Sequence, residues 1–400
     1  MVKPNEELIG MKELTCVIVG GGYAGINALK AIRETCKGRP IRFILIDREP
    51  HHLRKVLLFK PAVAKTDISI PLKSLFPEGV EFMQGTVTSI KGKEKTLLFR
   101  NKNGQEHALP YDILVLAVGS VIRQPEPEQG GIALTGVEAA EAVRDKWLAN
   151  MRQAVHEKQP SERERLLTIA VAGAGISGME TSAELAFAMS EEAKSLGIHP
   201  KEVSVYLINA QNRLFVEGPA KMGRKLESAL TDSGVTILHG QKVLHERDGM
   251  LTLASGRTLA VGLCVWSLGL LPNPVLRSMG LPLTTRGQVV VDESYRVAGT
   301  PGVYSIGDCA RIVDPASGQA DTMTCKEASG QAVRLGKIVL ADLDGTPAPA
   351  HISYMDFYCI GLGPERGMVW TRKWGLDIIL TGKLGWKLRQ FTWNIASMIK

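Results

Sequence analysis

The stretch "VIVGGGYAG", Val17 to Gly25, sets four glycines directly behind a run of apolar, mostly β-branched residues. Glycine weakens the interior of a strand or helix, so such a cluster needs a backbone reason. In register it reads Gly20-x-Gly22-x-x-Gly25, between an apolar run that fits a buried parallel strand and a segment, "INALKAI", that fits a helix. Strand, G-x-G-x-x-G turn and helix together form the dinucleotide-binding fingerprint. The first glycine permits the tight turn, the second lets the backbone approach a pyrophosphate, and the third lets helix and strand pack closely. The phosphates then meet the positive end of the helix. A second strand, "IRFILID", ends in Asp47. That places a carboxylate about 20 residues past the last glycine, where the ribose hydroxyls lie in such a unit.

The same order returns later in the chain. "LTIAVAGAGISGMETSAELA" carries Gly173-x-Gly175-x-x-Gly178, again behind an apolar strand. "IRFILID" has its counterpart in "VSVYLIN", "GVEFMQG" in "GVTILHG", and "YDILVLAVGS" in "GLCVWSLGL". One G-x-G-x-x-G is a weak signal. Two with the same downstream order imply a duplicated domain and two dinucleotides on one chain. Between the halves, "SVIRQPEPEQGG" reads as a crossover linker. After the second half, "GTPGVYSIGDCA" is a short strand ending in Gly307-Asp308, where a helix or turn start would face a cofactor.

Composition narrows the class. The chain has 400 residues, 44% of them hydrophobic, a net charge of +7 and a pI near 9.0. That suits two or three globular domains. No Lys/Arg block of nucleic-acid type occurs, so the basic balance points to anionic cofactors or a membrane surface. The six cysteines form no C-x-x-C pair and no zinc spacing, as in a cytoplasmic protein with reduced thiols; no metal site is expected. The N-terminal "MVKPNEELIGMKELT" lacks an apolar core, so no signal peptide is expected, and no run approaches a membrane span.

The order GxGxxG, LAVGS, second GxGxxG, SLGLLPNP and T-x6-G-D resembles the two-dinucleotide-binding flavoproteins. The resemblance implies an α/β architecture with two Rossmann-like domains, one for FAD and one for NADH or NADPH. The expected division is 1–119 and 270–345 for FAD, 120–269 for NAD(P)H, and a small α+β segment over 346–400. It assigns Gly20, Gly22, Tyr23, Ala24, Gly25, Asp47, Arg48, Lys55, Val87, Ala117, Gly119, Gly307 and Asp308 to FAD. It assigns Gly173, Gly175, Ile176, Ser177, Gly178, Asn209 and Gly269 to NAD(P)H, with Glu180 near the nicotinamide.

The segment after Asp47, "REPHHLRKVLLFKPAVAK", holds no cysteine, nor do the linker and the second fingerprint, so dithiol-reductase and sulfide:quinone chemistry is not expected. The type II NADH dehydrogenases, single-subunit NADH:quinone oxidoreductases on membrane surfaces, are the best match. Two positions depart from that pattern. Asn209 stands where an acidic residue would repel a 2′-phosphate, so the choice of NADH or NADPH stays open. Arg213 nearby either faces a 2′-phosphate or packs at the strand end. "TCKEASGQA" replaces the A-Q-x-A-x-Q helix beside flavin and quinone, which leaves the acceptor open. Within it, Lys326 is the candidate cation for reduced flavin and Cys325 the candidate redox thiol; a surface lysine and a packed small side chain are the alternatives.

The tail, "GKLGWKLRQFTWNIASMIK", spaces Leu384, Leu388, Phe391, Ile395 and Met398 as one apolar helical stripe. Lys383, Lys387 and Lys400 flank it, with Trp386 and Trp393 near its edges. This pattern fits an interfacial helix on the inner face of the plasma membrane; the alternatives are a helix packed on its own domain or on a partner in a homodimer. Three functions remain in view: an FAD enzyme passing electrons from NAD(P)H to a quinone or similar acceptor, a soluble flavin reductase serving ferredoxin, oxygen or another acceptor, and a redox-sensing flavoprotein resembling apoptosis-inducing factor.

Overall fold

The computed structural model describes residues 12–399, so most of the N-terminal stretch and Lys400 lie outside the described residues. The first half opens with β1 (Leu14–Val19), α1 (Tyr23–Thr35) and β2 (Ile41–Asp47). A meander follows: β3 (Glu81–Lys91), β4 (Thr96–Asn101) and β5 (Glu106–Pro110), then β6 (Ile113–Leu116) returns to the centre. The crossover is β7 (Ser120–Ile122).

The second half contains β8 (Ile132–Ala133), α2 (Val137–His156), β9 (Thr168–Ala172), α3 (Ile176–Ser195), β10 (Ser204–Ile208), α4 (Ala220–Thr231), β11 (Val235–Leu238) and β12 (Leu263–Trp266). The return crossover β13 (Leu270–Pro272) leads to β14 (Val303–Ser305) and α5 (Cys325–Asp344). The chain ends with β15 (Phe357–Gly361), β16 (Gly367–Lys373), β17 (Leu376–Thr381) and α6 (Gly382–Ala396).

These elements form an α/β molecule around two Rossmann-like sheets. The first has the order β14-β6-β1-β2-β3-β4-β5; its first five strands are parallel. The second is parallel throughout, in the order β8-β12-β9-β10-β11. The central strands β1 and β9 carry the apolar runs CVIV and IAVA because both faces of a parallel sheet are covered. α1 and α5 cover one face of the first sheet, and Gly336 lets them cross closely: a Cβ there would lie 2.9 Å from the Ala31 carbonyl oxygen. β7 and β13 pair antiparallel, Leu270 opposite Ile122, so both crossovers form one ribbon. The antiparallel sheet β15-β16-β17 and α6 form the C-terminal α+β element. Among the described residues, no helix is long and apolar enough to cross a membrane.

Candidate functional site

At the ends of β1 and β9 the duplication holds at the level of single atoms. Gly20 and Gly173 both take positive φ, +109° and +113°, and a Cβ on either would collide with a carbonyl of the neighbouring strand end, Ala117 or Ser267. Gly25 and Gly178 press on the carbonyls of Gly20 and Gly173; a Cβ would sit 1.8 Å from either oxygen. A Cβ on Gly22 or Gly175 would meet nothing within 4 Å. The middle glycine of each fingerprint therefore faces open space at a helix N-terminus, the cradle a pyrophosphate requires.

Both cradles open on one cavity of about 900 Å³. Its lining includes Gly20, Gly22, Tyr23, Ala24, Asp47, Arg48, Lys55, Val87, Ala117, Gly119, Gly307 and Asp308 on one side. Gly173, Gly175, Ile176, Ser177, Asn209 and Gly269 line the other, and Cys325 reaches it from the start of α5. Gly25 and Gly178 lie behind the lining, holding helix to strand.

Asp47 accepts the Gly21 N–H through Oδ2 and the Glu49 N–H, at 2.8 Å, through Oδ1. Asn209 repeats the second contact, its Oδ1 accepting from Gln211 N at 3.0 Å. Its Nδ2 donates to the Arg213 carbonyl at 2.9 Å and lies 3.0 Å from His239 Nδ1. The oxygen of the amide is thus the atom left with acceptor capacity. Arg213 spends its guanidinium on the carbonyls of Leu214, Phe215, Val216 and Gly218, so it packs the loop rather than aiming at a 2′-phosphate.

At the other end of the first cradle, Ser120 ties two charges together. Its hydroxyl donates to Asp308, and its carbonyl accepts from Lys55 Nζ at 2.8 Å. Burial raises the Asp308 carboxyl above its ordinary range, against the Ser120 hydrogen bond and the Lys55 charge. Burial lowers Lys55. Ser120 was not singled out from sequence, although it ends the "LAVGS" strand.

α5 begins in a capping box. Glu327 accepts from the hydroxyls of Thr324 and Thr322, at 2.7 and 2.8 Å, while Thr324 Oγ1 accepts the Glu327 N–H. Thr324 and Glu327 were not singled out from sequence; the signal that could have found them is the T-x-x-E of "TCKE". Burial raises the Cys325 thiol, so it is held as the protonated form rather than as a reactive thiolate.

A family model described as "Pyridine nucleotide-disulphide oxidoreductase" matches residues 14–332. The chain belongs to this family. Among curated relatives it is similar to the "Probable NADH dehydrogenase" of Dictyostelium discoideum, 25% identical over 308 residues, covering 74% of this chain and 67% of the relative. It is also similar to the "Type II NADH:quinone oxidoreductase Ndh" of Mycobacterium tuberculosis, 26% identical over 314 residues with the same two shares. Its fold matches that of NDH2 from Plasmodium falciparum, solved with NADH, at a TM-score of 0.81 and 16% identity over 97% of this chain and 98% of that one. Unlike the disulphide members the family is named for, all six cysteines here are free, and Cys325 alone of them lines the cavity. Among the described residues, no group of His, Cys, Asp or Glu is arranged to hold a metal ion.

Two of the residues expected to be catalytic lie off the cavity lining. Glu180 does not line the cavity. It is buried in a two-armed ion pair with Arg389 of α6, at 2.8 and 2.9 Å, and accepts the Gly361 N–H at 2.8 Å. A buried carboxylate needs such partners, and here they join α3, β15 and α6. Lys326 also turns away. Its ammonium donates to the Phe357 carbonyl at 2.8 Å and lies 4.0 Å from the centre of the Tyr358 ring. Lys55 is the lysine that lines the cavity beside Asp308.

α6 presents its stripe outward. Leu384, Phe391 and Ile395 are 55%, 58% and 51% exposed, with Leu388 and Met398 half-buried. The inner face consists of Gly385, Arg389, Trp393 and Ala396. Its last turn is tied to the first cradle: Asn27 donates to the Ala396 carbonyl at 2.9 Å, Arg54 to Asn394 at 2.8 Å, and His52 bridges Gly21 O and Ser397 Oγ.

Proposed function

We infer that this chain is an FAD-dependent oxidoreductase that oxidises NADH or NADPH and passes the electrons to a quinone or a similar small acceptor at a membrane surface. The observation that carries the reading is the single cavity shared by two open glycine cradles. One cradle suits the pyrophosphate of FAD and the other that of the nicotinamide nucleotide. FAD supplies the hydride acceptance and electron release; the chain binds, orients and screens. The amides behind Gly22 and Gly175 receive the two pyrophosphates. Asp47 offers a carboxylate to one ribose. Asn209 offers a neutral oxygen to the other, which does not repel a 2′-phosphate. Ser120 fixes Asp308 and Lys55 against each other at the far end of the first cradle.

The acceptor side is supported by the part of the cavity wall that packs on α6. Leu58 and Phe59 line the cavity, and Phe59 packs on Trp393 of α6, ring centres 5.9 Å apart. An apolar acceptor held in lipid would therefore approach through α6. The outward Leu384, Phe391 and Ile395, the exposed Trp374 of the β16–β17 turn, and Lys383 and Lys387 suit an anionic lipid surface. Lys383 also pairs with Glu365 at 3.1 Å, an exposed contact that lipid phosphate can replace.

Stopped-flow reduction of the purified protein by NADH and by NADPH, followed by mixing with a menaquinone analogue in vesicles, tests the whole reading. Fast reduction by both nucleotides and fast reoxidation by the quinone are expected. Reoxidation only by ferredoxin or oxygen would make it a soluble flavin reductase. Slow turnover with every acceptor would make it a redox sensor.

A further inference from the structure

Away from the cavity, a set of buried polar side chains leads to the turn that carries Asp308. Gly307, at φ +76°, opens that turn, and a Cβ there would lie 2.7 Å from Ala24 Cβ on α1. Its N–H donates to Gln331 Oε1 at 2.7 Å. Gln331 Nε2 donates to Asp321 Oδ2 at 2.8 Å, and Asp321 Oδ1 lies 3.1 Å from His351 Nε2. His351 Nδ1 lies 2.8 Å from the Tyr295 hydroxyl and 3.1 Å from Arg334 Nη1. Gln331, His351 and Tyr295 are buried, and so is the side chain of Asp321.

Donor and acceptor counting fixes every orientation in this chain. A backbone N–H can only donate, so the Gln331 oxygen must face Gly307. Its amide nitrogen must then face the carboxylate. A flipped amide would set N–H against N–H and oxygen against an anion. Arg334 can only donate, so His351 Nδ1 is an acceptor and Nε2 carries the proton toward Asp321. Three segments of the chain thus specify one amide plane, that of Gly307. Burying a carboxylate and an imidazole is costly unless both are fully partnered. A turn needing only support would be served by apolar packing.

We propose that Gln331, Asp321 and His351 are positioning residues that hold the Gly307–Asp308 turn in its FAD-binding form and thereby set FAD affinity and flavin potential. They act through the turn and are not themselves part of the cavity lining. The proposal rests on FAD occupying the first cradle and is independent of the acceptor.

The test uses the full-length protein, stripped of flavin and titrated with FAD by fluorescence quenching, together with the midpoint potential of the reloaded protein and the melting temperature of both forms. Gln331→Leu and His351→Phe are expected to raise the FAD Kd about tenfold or more. Each tenfold difference between the oxidised and reduced flavin affinities moves the two-electron potential by about 30 mV. His351→Gln, whose amide N–H takes the place of Nε2–H, should recover most of the affinity. If Gln331→Leu does not fold, the isosteric Asp321→Asn carries the test, with a Kd shift in the same direction. Lower melting temperatures with an unchanged Kd and potential would reduce the chain to structural support and overturn the proposal. Failure of the apoprotein to take up FAD even with the native sequence would instead overturn the cofactor reading.

Discussion

Replacing Leu384, Phe391 and Ile395 together by Gln separates membrane docking from folding. Each side chain keeps more than half of its surface exposed. Full burial of such a side chain contributes about 1.5–3 kcal/mol. The half still available to lipid therefore contributes about 1 kcal/mol each, and about 3 kcal/mol for the three. At 1.4 kcal/mol per factor of ten, vesicle affinity should fall about 100-fold. Folding should change little, because exposed substitutions usually stay within about 0.5 kcal/mol and Gln is a good helix former. Lys387→Gln should weaken binding to anionic vesicles by about a further 1 kcal/mol, a part that disappears at high salt. The assay is co-sedimentation with anionic vesicles, beside melting temperature and flavin content. Turnover with a long-chain quinone in vesicles should fall while turnover with a water-soluble acceptor holds. Removing the whole helix is a poorer test, since its inner face is tied to Gly21 through His52 and to Glu180 through Arg389. Unchanged vesicle binding by the triple variant would refute the docking argument. Lost flavin and a large drop in melting temperature would show that the stripe is covered by protein.

Gly22→Ala should fold and lose FAD, while Gly175→Ala should keep FAD and raise the KM for NAD(P)H, since each added Cβ meets only the cradle; Gly25→Ala should instead fail to fold, which expression and flavin absorbance will report. Asn209→Asp should lower NADPH use relative to NADH by about 1–3 kcal/mol through charge repulsion, read as the ratio of kcat/KM values. Arg389→Met should destabilise the protein by about 3–5 kcal/mol, measured by urea unfolding, because it strands the buried Glu180 carboxylate. Burial pushes the His52 imidazole from 6.5 down to about 4, so the unfolded chain binds more protons between those values. Stability is full above about pH 6.5 and falls as pH drops, by about 2 kcal/mol at pH 5. His52→Asn, whose amide N–H can still meet Gly21 O, should flatten that slope in urea unfolding at pH 7 and pH 5.

The sequence by itself determined the two cradles. Gly20-x-Gly22-x-x-Gly25 and Gly173-x-Gly175-x-x-Gly178 are local devices: each glycine answers a steric demand within a few residues of itself, so spacing alone exposes it. Side-chain direction was not legible in this way. Glu180 and Lys326 occupy positions where a resemblance puts chemistry, yet Glu180 turns to Arg389, far along the chain, and Lys326 to the Phe357 carbonyl. Only the tertiary structure decided this, because a buried charge goes where long-range partners satisfy it. Nor could periodicity decide which face of the last helix points outward. A stripe of Leu384, Phe391 and Ile395 reads equally well as core. The inward face is instead built from Gly385, whose missing side chain lets β16 approach, and from Arg389, whose charge is met by Glu180. Both reasons lie in residues that the pattern of hydrophobicity does not count.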